Sequence, residues 1–333
     1  MDKKETKRNV KRMDYDMYKL RDWISLDKLT IEQFSRSTIP EAIKILRNHP
    51  YAINWDWLSS NPSPEALALL KENEDMIEWG KLLQNPNPDA IKLIRQNIDK
   101  IPNFEWYRLS SNPCPEAMEL LRENKRKIDW YGLAKNPSPE AVKLIKENLH
   151  HLDEFAWGWL SANTNPDTLK LLRENQDKID WVWMSENPSD EAIQLLKENE
   201  DRIWWDRLSG NPNPEAIKLL IANKDKIDWC VFFSLNQSPE ALQMLKEKND
   251  SSWWYHLSQN PNPEAVELLK QHPDNIYYNV LSSNPGIFER DYIEMSKKRT
   301  MIILEDFLKN VLHPRRIIKF LELGGDMDDY LIN

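Results

Sequence analysis

Few residues in this chain stand at spacings that could do chemistry. His150 and His151 lie beside Asp153 and Glu154. All four are metal-ligand types, but neighbours in sequence lack the i, i+4 spacing that converges ligands from one helix face. A solvated loop is the expected setting. Carboxylates are abundant, yet they recur at helix starts and ends, where caps and the helix dipole account for them. No Ser/His/Asp or Cys/His arrangement stands out, and seven glycines in 333 residues leave no room for a glycine-rich phosphate loop. The expectation is a non-enzymatic protein with no cofactor and no metal.

Residues suited to binding are plentiful. Trp57, Tyr107, Tyr131, Trp159, Trp183, Trp204, Arg207 and Tyr255 each stand one or two positions from a regularly recurring tryptophan. Their type changes from one occurrence to the next; Lys81, Arg108, Gly132 and His256 also occupy these places. Tyrosine, tryptophan and arginine dominate binding hot spots. These eight are therefore the candidate partner-binding residues, and the competing reading is that some tuck against the next unit.

The element that must position them is a repeat. Ile203–Leu220 reads Ile-Trp-Trp-Asp-Arg-Leu-Ser-Gly-Asn-Pro-Asn-Pro-Glu-Ala-Ile-Lys-Leu-Leu, and about ten variants of it follow one another. The alanine, or Thr168 in one unit, falls at Ala42, Ala66, Ala90, Ala117, Ala141, Thr168, Ala192, Ala216, Ala241 and Ala265, in steps of 24 to 27 residues. Self-similarity at such a period marks a repeat array. Both 27-residue steps carry their extra residues between the second helix and the next tryptophan, within 98–103 and 149–154, where projecting loops are expected.

Each unit reads as two helices. In Ser63–Asn73 the serine suits an N-cap, Pro64 the first helical position, and Asn73 a left-handed terminator. The first half, as in Ile128–Ala134, is short enough to be partly 3₁₀. Helices this short need neighbours. Stacking would bury the tryptophan column (Trp55, Trp79, Trp106, Trp130, Trp157, Trp181, Trp205, Trp229, Trp254, then Tyr278) as core. The asparagine column from Asn61 to Asn284 would form a ladder satisfying turn backbone groups. Units spaced by helix packing would give an elongated body on the order of 100 Å.

Residues 1–18 form a basic arm, 19–287 the array, and 288–333, with a proline start at Pro314 and a glycine stop at Gly324, a C-terminal helical cap. Residues 1–12 hold six basic and two acidic side chains, a net of +4, which leaves −13 for the rest of the total of −9. An acidic body argues against nucleic acid as partner except through the arm, which could also serve nuclear import. Cys114 and Cys230 lie too far apart in the array to bridge, so free thiols and a reducing, intracellular and cytoplasmic setting are expected. No apolar run reaches the length of a membrane span.

The string Asn-Pro-Ser-Pro-Glu-Ala with a 24-residue period resembles the leucine-rich variant repeat, which implies α and 3₁₀ helices alternating in a right-handed superhelix. Leu58-Ser59-Ser60-Asn61-Pro62 and Asn175-Gln176-Asp177-Lys178-Ile179-Asp180-Trp181 are closer still to repeat proteins of large DNA viruses of amoebae and algae. Leu20-Arg21-Asp22-Trp23-Ile24 and the tail around Leu312-His313-Pro314-Arg315-Arg316-Ile317 also resemble that family. Its members read Asn-Pro-Asn-Ala-Ile, without the second proline present here. The resemblance implies an all-α, right-handed α-solenoid of about ten two-helix repeats with terminal caps, and carries no activity over. On this reading the chain is a protein–protein interaction scaffold. The alternatives are a structural or virion-associated protein and, less favoured, a nucleic-acid-binding repeat protein.

Overall fold

The computed structural model describes residues 17–248, 252–310, 313–324 and 326; the basic arm from Lys3 to Arg12 lies outside them. The fold is an all-α solenoid. Two compact units are distinguished: the array Leu20–Ile287, and a second unit that includes residues 17–19 and the segment from Phe288 onwards. In the second unit, helix Tyr292–Asn310 is followed by helix Pro314–Glu322, which has Pro314 at its start and Gly324 at φ 85° after its end. Tyr18–Leu20 pairs with Phe288–Arg290 as a two-stranded sheet.

Within the array most units have three helical pieces rather than two among the described residues. A first helix such as Trp55–Ser60 is α-helical, a second such as Pro64–Glu72 is α-helical, and the 3₁₀ element is a separate turn, Glu74–Met76, that leads to the next unit. Local chemistry explains each boundary. Ser63 Oγ accepts the Ala66 amide at 3.2 Å and Pro64 occupies the first turn. Asn73 does not adopt the left-handed conformation; it lies at φ −135°, ψ 58° and donates Nδ2 to the Leu69 carbonyl at 2.9 Å. Asn97, Asn124, Asn148, Asn175, Asn199 and Asn223 make the same bond to the residue four before. The side chain thus takes a carbonyl that the helix end leaves open, which removes the need for a positive φ.

The two insertions do not project as loops. One becomes an additional 3₁₀ turn, Asn103–Glu105, and the other a full extra turn on helix Glu154–Ala162, capped by Asp153. Adding three residues lengthens a helix by close to one turn, which keeps the next tryptophan in register.

Neighbouring units are tied by two buried columns. Each asparagine from Asn61 to Asn284 donates Nδ2 to two carbonyls of the preceding unit; Asn211, for example, donates to Ser185 and Asn187 at 3.0 Å each, while its Oδ1 accepts the Asn213 amide. The expected ladder is present. The serine two places before it carries a second tie. Ser35, Ser59, Ser110, Ser161, Ser185, Ser209 and Ser258 each accept the amide that precedes the next unit's first helix, at 2.9–3.2 Å.

The same tie joins the two ends of the array. Ser282 Oγ, in the last unit, accepts the amide of Thr30, in the first, at 2.7 Å, and donates to the Tyr278 carbonyl as Ser209 does to Trp205. Lys28 Nζ lies 5.0 Å from the Tyr278 ring centre, as Lys226 lies 4.3 Å from that of Trp205. Arg21 completes the joint, with its amide on the Ile287 carbonyl and Nε on that of Gly286. The array 20–287 is therefore a closed ring, not the elongated body expected from stacking alone. Phe34, Ile43, Leu281 and Ile287, the residues an open array would expose at its ends, are fully buried.

Candidate functional site: the inner wall of the ring

First helices pack against one another more closely than second helices do. Second helices are bridged instead by long side chains: Arg95 to Glu123 at 2.7 Å, Arg173 to Glu198 at 3.0 Å, Lys197 to Glu215 at 2.6 Å. In a closed ring the tighter layer is the inner one, so first helices line the inside. Each buries a pair of side chains, such as Leu208 and Ser209, on its side towards the second helices. The positions one, two and five after the tryptophan form the inner wall and are mostly accessible, although Gly132 and Gly158 are buried.

Seven of the eight predicted residues, all but Trp204, occupy those positions. Three of them meet. Trp159 packs against Tyr131 edge-on, with ring centres 5.6 Å apart, and against Trp183 at 4.6 Å. Lys135 Nζ sits 3.7 Å from the Trp159 centre and 4.3 Å from that of Tyr131, with no carboxylate partner among the described residues. The row continues through Arg207, which pairs with Glu186 at 2.5 Å and covers the Phe232 ring. Elsewhere Trp57 carries the Arg36 guanidinium at 3.8 Å, and Tyr107 lies under Arg108, which also pairs with Glu105. Sideways tucking and exposure thus coexist: Trp57, Trp159 and Trp183 are half-buried against neighbours, while Tyr107 and Tyr131 are exposed.

Two of the eight lie apart from this cluster. Tyr255, one place after Trp254, contacts Tyr277 with ring centres 5.3 Å apart. Trp204, one place before its tryptophan, is 51% exposed.

The tryptophan column is only partly core. Trp106, Trp157 and Trp254 are buried, whereas Trp55, Trp79, Trp130, Trp181, Trp205 and Trp229 are half-buried. A cation or imidazole from the next unit commonly finishes the burial: Lys100 on Trp79, Lys127 on Trp106, Lys226 on Trp205, Lys248 on Trp229. His151 serves Trp130 in this way, stacked at 4.5 Å and 14°, and belongs to 3₁₀ turn Leu149–His151 rather than to a solvated loop. Among the described residues no group of three or more His, Cys, Asp and Glu is placed to hold a metal ion.

Phe104 and Phe155 escaped sequence reasoning. Each stands two places before its tryptophan in one of the two lengthened units, and they are 76% and 73% exposed. The coincidence of insertion and phenylalanine was the available signal. No helix among the described residues is long and apolar enough to cross a membrane. No family model, curated protein or solved structure matches the chain.

Proposed function

We propose that the protein is a non-catalytic binding scaffold that holds a protein segment against the inner wall of its ring. The observation that carries this reading is the gathering of Trp57, Tyr107, Tyr131, Trp159, Trp183 and Arg207 onto one wall by the closure of the array. The asparagine column beneath repeats from unit to unit and the serine column in most units, with Leu83 and Ala134 as exceptions, while the wall above them changes. A constant frame with a variable accessible surface suits recognition of a partner that differs along its length.

Size supports the same reading. Eleven first segments at about 9 Å spacing draw a circle roughly 30 Å across between helix axes, and helix thickness leaves about 20 Å free. A helix or an extended peptide fits such a space. Three of the wall's cations are matched internally, Lys81 with Asp56, Arg108 with Glu105 and Arg207 with Glu186, which favours a protein over a polyanion.

Photo-crosslinking tests the reading. A benzophenone amino acid at Trp183, facing inward, is expected to capture a discrete protein from native cell extract, and one at exposed Ala68 on a second helix is not. Equal capture at both positions, or none at Trp183 with the ring intact, contradicts it.

A further inference from the structure

The 3₁₀ edge of the ring repeats one arrangement. Its basic side is a residue of the next unit, and its other side is the face of the column aromatic. Where the third residue of the 3₁₀ turn is basic it commonly does this: Lys100, Lys127, His151, Lys226 and, across the closing joint, Lys28. For Trp229 and Trp254 the group comes from the end of the second helix, as Lys248 and His272. Seven aromatic faces are thus seats for a cation or an imidazole, five of them holding a lysine ammonium.

Two consecutive joints break the pattern while keeping the residues. Lys178, in the place that should cover Trp157, pairs with its neighbour Asp177 at 3.1 Å, and Arg202, in the place that should cover Trp181, pairs with Asp201 at 3.4 Å. Among the described residues no cation is placed over either indole; Trp181 is half-buried and Trp157 is 8% exposed, reached from the cleft beside it. A cleft of about 560 Å³ is lined by Leu152, Trp157, Asp177, Lys178 and Ile179, with Asp153, Glu154 and Asp180 also lining it, and one of about 350 Å³ by Gln176, Ile179, Trp181, Asn199 and Arg202, with Asp177 shared between the two. Trp55 is a different case, since Met76 stands in the corresponding place and carries no charge.

We infer that the Trp157 and Trp181 seats take lysine side chains presented by a protein partner. The sibling joints define the chemistry: an indole face that holds an ammonium at 4.1–5.8 Å. An ammonium over an indole is attracted by the ring's negative face, more so once partly desolvated. In the larger cleft four carboxylates, Asp153, Glu154, Asp177 and Asp180, face one internal cation, Lys178, so a second cation is favoured there. Asp153 and Asp180 each spend one oxygen on helix caps, at Ala156 and at Val182 and Trp183, which fixes them in the lining. The two seats are one unit apart, about 9 Å, a spacing that lysines three residues apart on one face of a polyproline II segment can span. That the ammonium belongs to a protein rests on the proposed scaffold function; the seats' preference for an ammonium does not.

Full-length protein labelled with 5-fluorotryptophan tests this by ¹⁹F NMR, with resonances assigned from single Trp→Phe variants. Titration with n-butylammonium chloride is expected to move the Trp157 and Trp181 resonances saturably, and equimolar n-butanol or sodium chloride is not. Trp205, whose seat holds Lys226, stays still in the native protein and begins to respond in Lys226→Met. Glu154→Gln, which alters no cap, weakens the Trp157 response about fivefold, the loss of one exposed charge contact. The inference is overturned if Trp157 and Trp181 do not respond, respond equally to n-butanol, or move no more than Trp205 with Lys226 in place. Failure of inner-wall crosslinking with these shifts intact would remove the scaffold reading and leave the seats standing.

Discussion

The amide of Thr30 donates to Ser282 Oγ across 252 positions of sequence, at 2.7 Å. Among the described residues seven equivalent bonds join consecutive units elsewhere, each spanning 19 positions. The closing joint therefore repeats the register of the others. It lacks one component, because Ser37 stands where later units have the ladder asparagine, and Arg21 holds the Gly286 and Ile287 carbonyls there instead.

The ladder sets the strength of each ordinary joint. Asn211→Ala removes three buried hydrogen bonds and leaves the Ser185 and Asn187 carbonyls without that donor. At roughly 1 kcal/mol for each bond and more for stranded groups, the expected loss is about 2–4 kcal/mol. Urea denaturation checks it; a change below about 0.5 kcal/mol would show that the ladder contributes little.

Two wall glycines should respond in opposite directions. A Cβ at Gly132 would stand 2.9 Å from the Tyr107 carbonyl oxygen, a backbone atom of the preceding unit, so Gly132→Ala is expected to cost about 1–3 kcal/mol. At Gly158 the nearest atom is Asp180 Oδ2 at 3.4 Å, an ordinary contact inside a helix, and alanine there is expected to stabilise by about 0.5–1 kcal/mol. Paired melting curves compare the signs.

The repeat, its helix boundaries and its asparagine ladder were legible because each depends on local chemistry: a cap, a proline, a recurring amide. Closure was not. It depends on a small rotation per unit summed around the array, and no residue announces that angle. The serine column was visible as a repeated letter, but its role needs the neighbouring unit's backbone. Trp159, Trp183 and Tyr131 were picked by type and variability, and their meeting required adjacent first helices to lie on the inside. Lys178 and Lys226 occupy the same place in the repeat, so only the structure separates an occupied seat from one without a cation.

The two thiols should differ in reactivity. Cys114 is buried; burial, together with its hydrogen bond to the Glu116 carboxylate at 2.9 Å, pushes its thiol up from the ordinary value. Cys230 is exposed. At pH 7–8 a disulfide reagent is expected to modify one thiol rapidly, at Cys230, and the second only as the pH is raised further or the protein unfolds. Equal rates at both would contradict the burial of Cys114.

Acid should loosen the joint between the second helices Asp190–Glu198 and Pro214–Ala222. Hydrogen bonds from Lys197 and then Lys218 hold the Glu215 carboxyl down at about 2. A depressed folded value means that this contribution is complete above the ordinary carboxylate range and is lost as pH falls from about 4.5 towards 2. The melting-temperature gap between native protein and Glu215→Gln is expected to be positive at pH 7 and to close over that window. A gap independent of pH would remove the ion pairs from the account.

Closure is the claim on which the inner wall depends, and one distance tests it. In a background of Cys114→Ser, which supplies the residue found at sibling caps Ser63 and Ser138, and Cys230→Ser, spin labels are placed at Asp56→Cys and Asn279→Cys. These positions are two joints apart across the closing seam, as Tyr131 and Val182 are two joints apart within the array. Pulsed electron spin resonance is expected to give about 20 Å for both pairs, twice the helix spacing. A distance beyond about 60 Å for the seam pair, with the Tyr131→Cys and Val182→Cys pair unchanged, would mean an open array and contradict the ring.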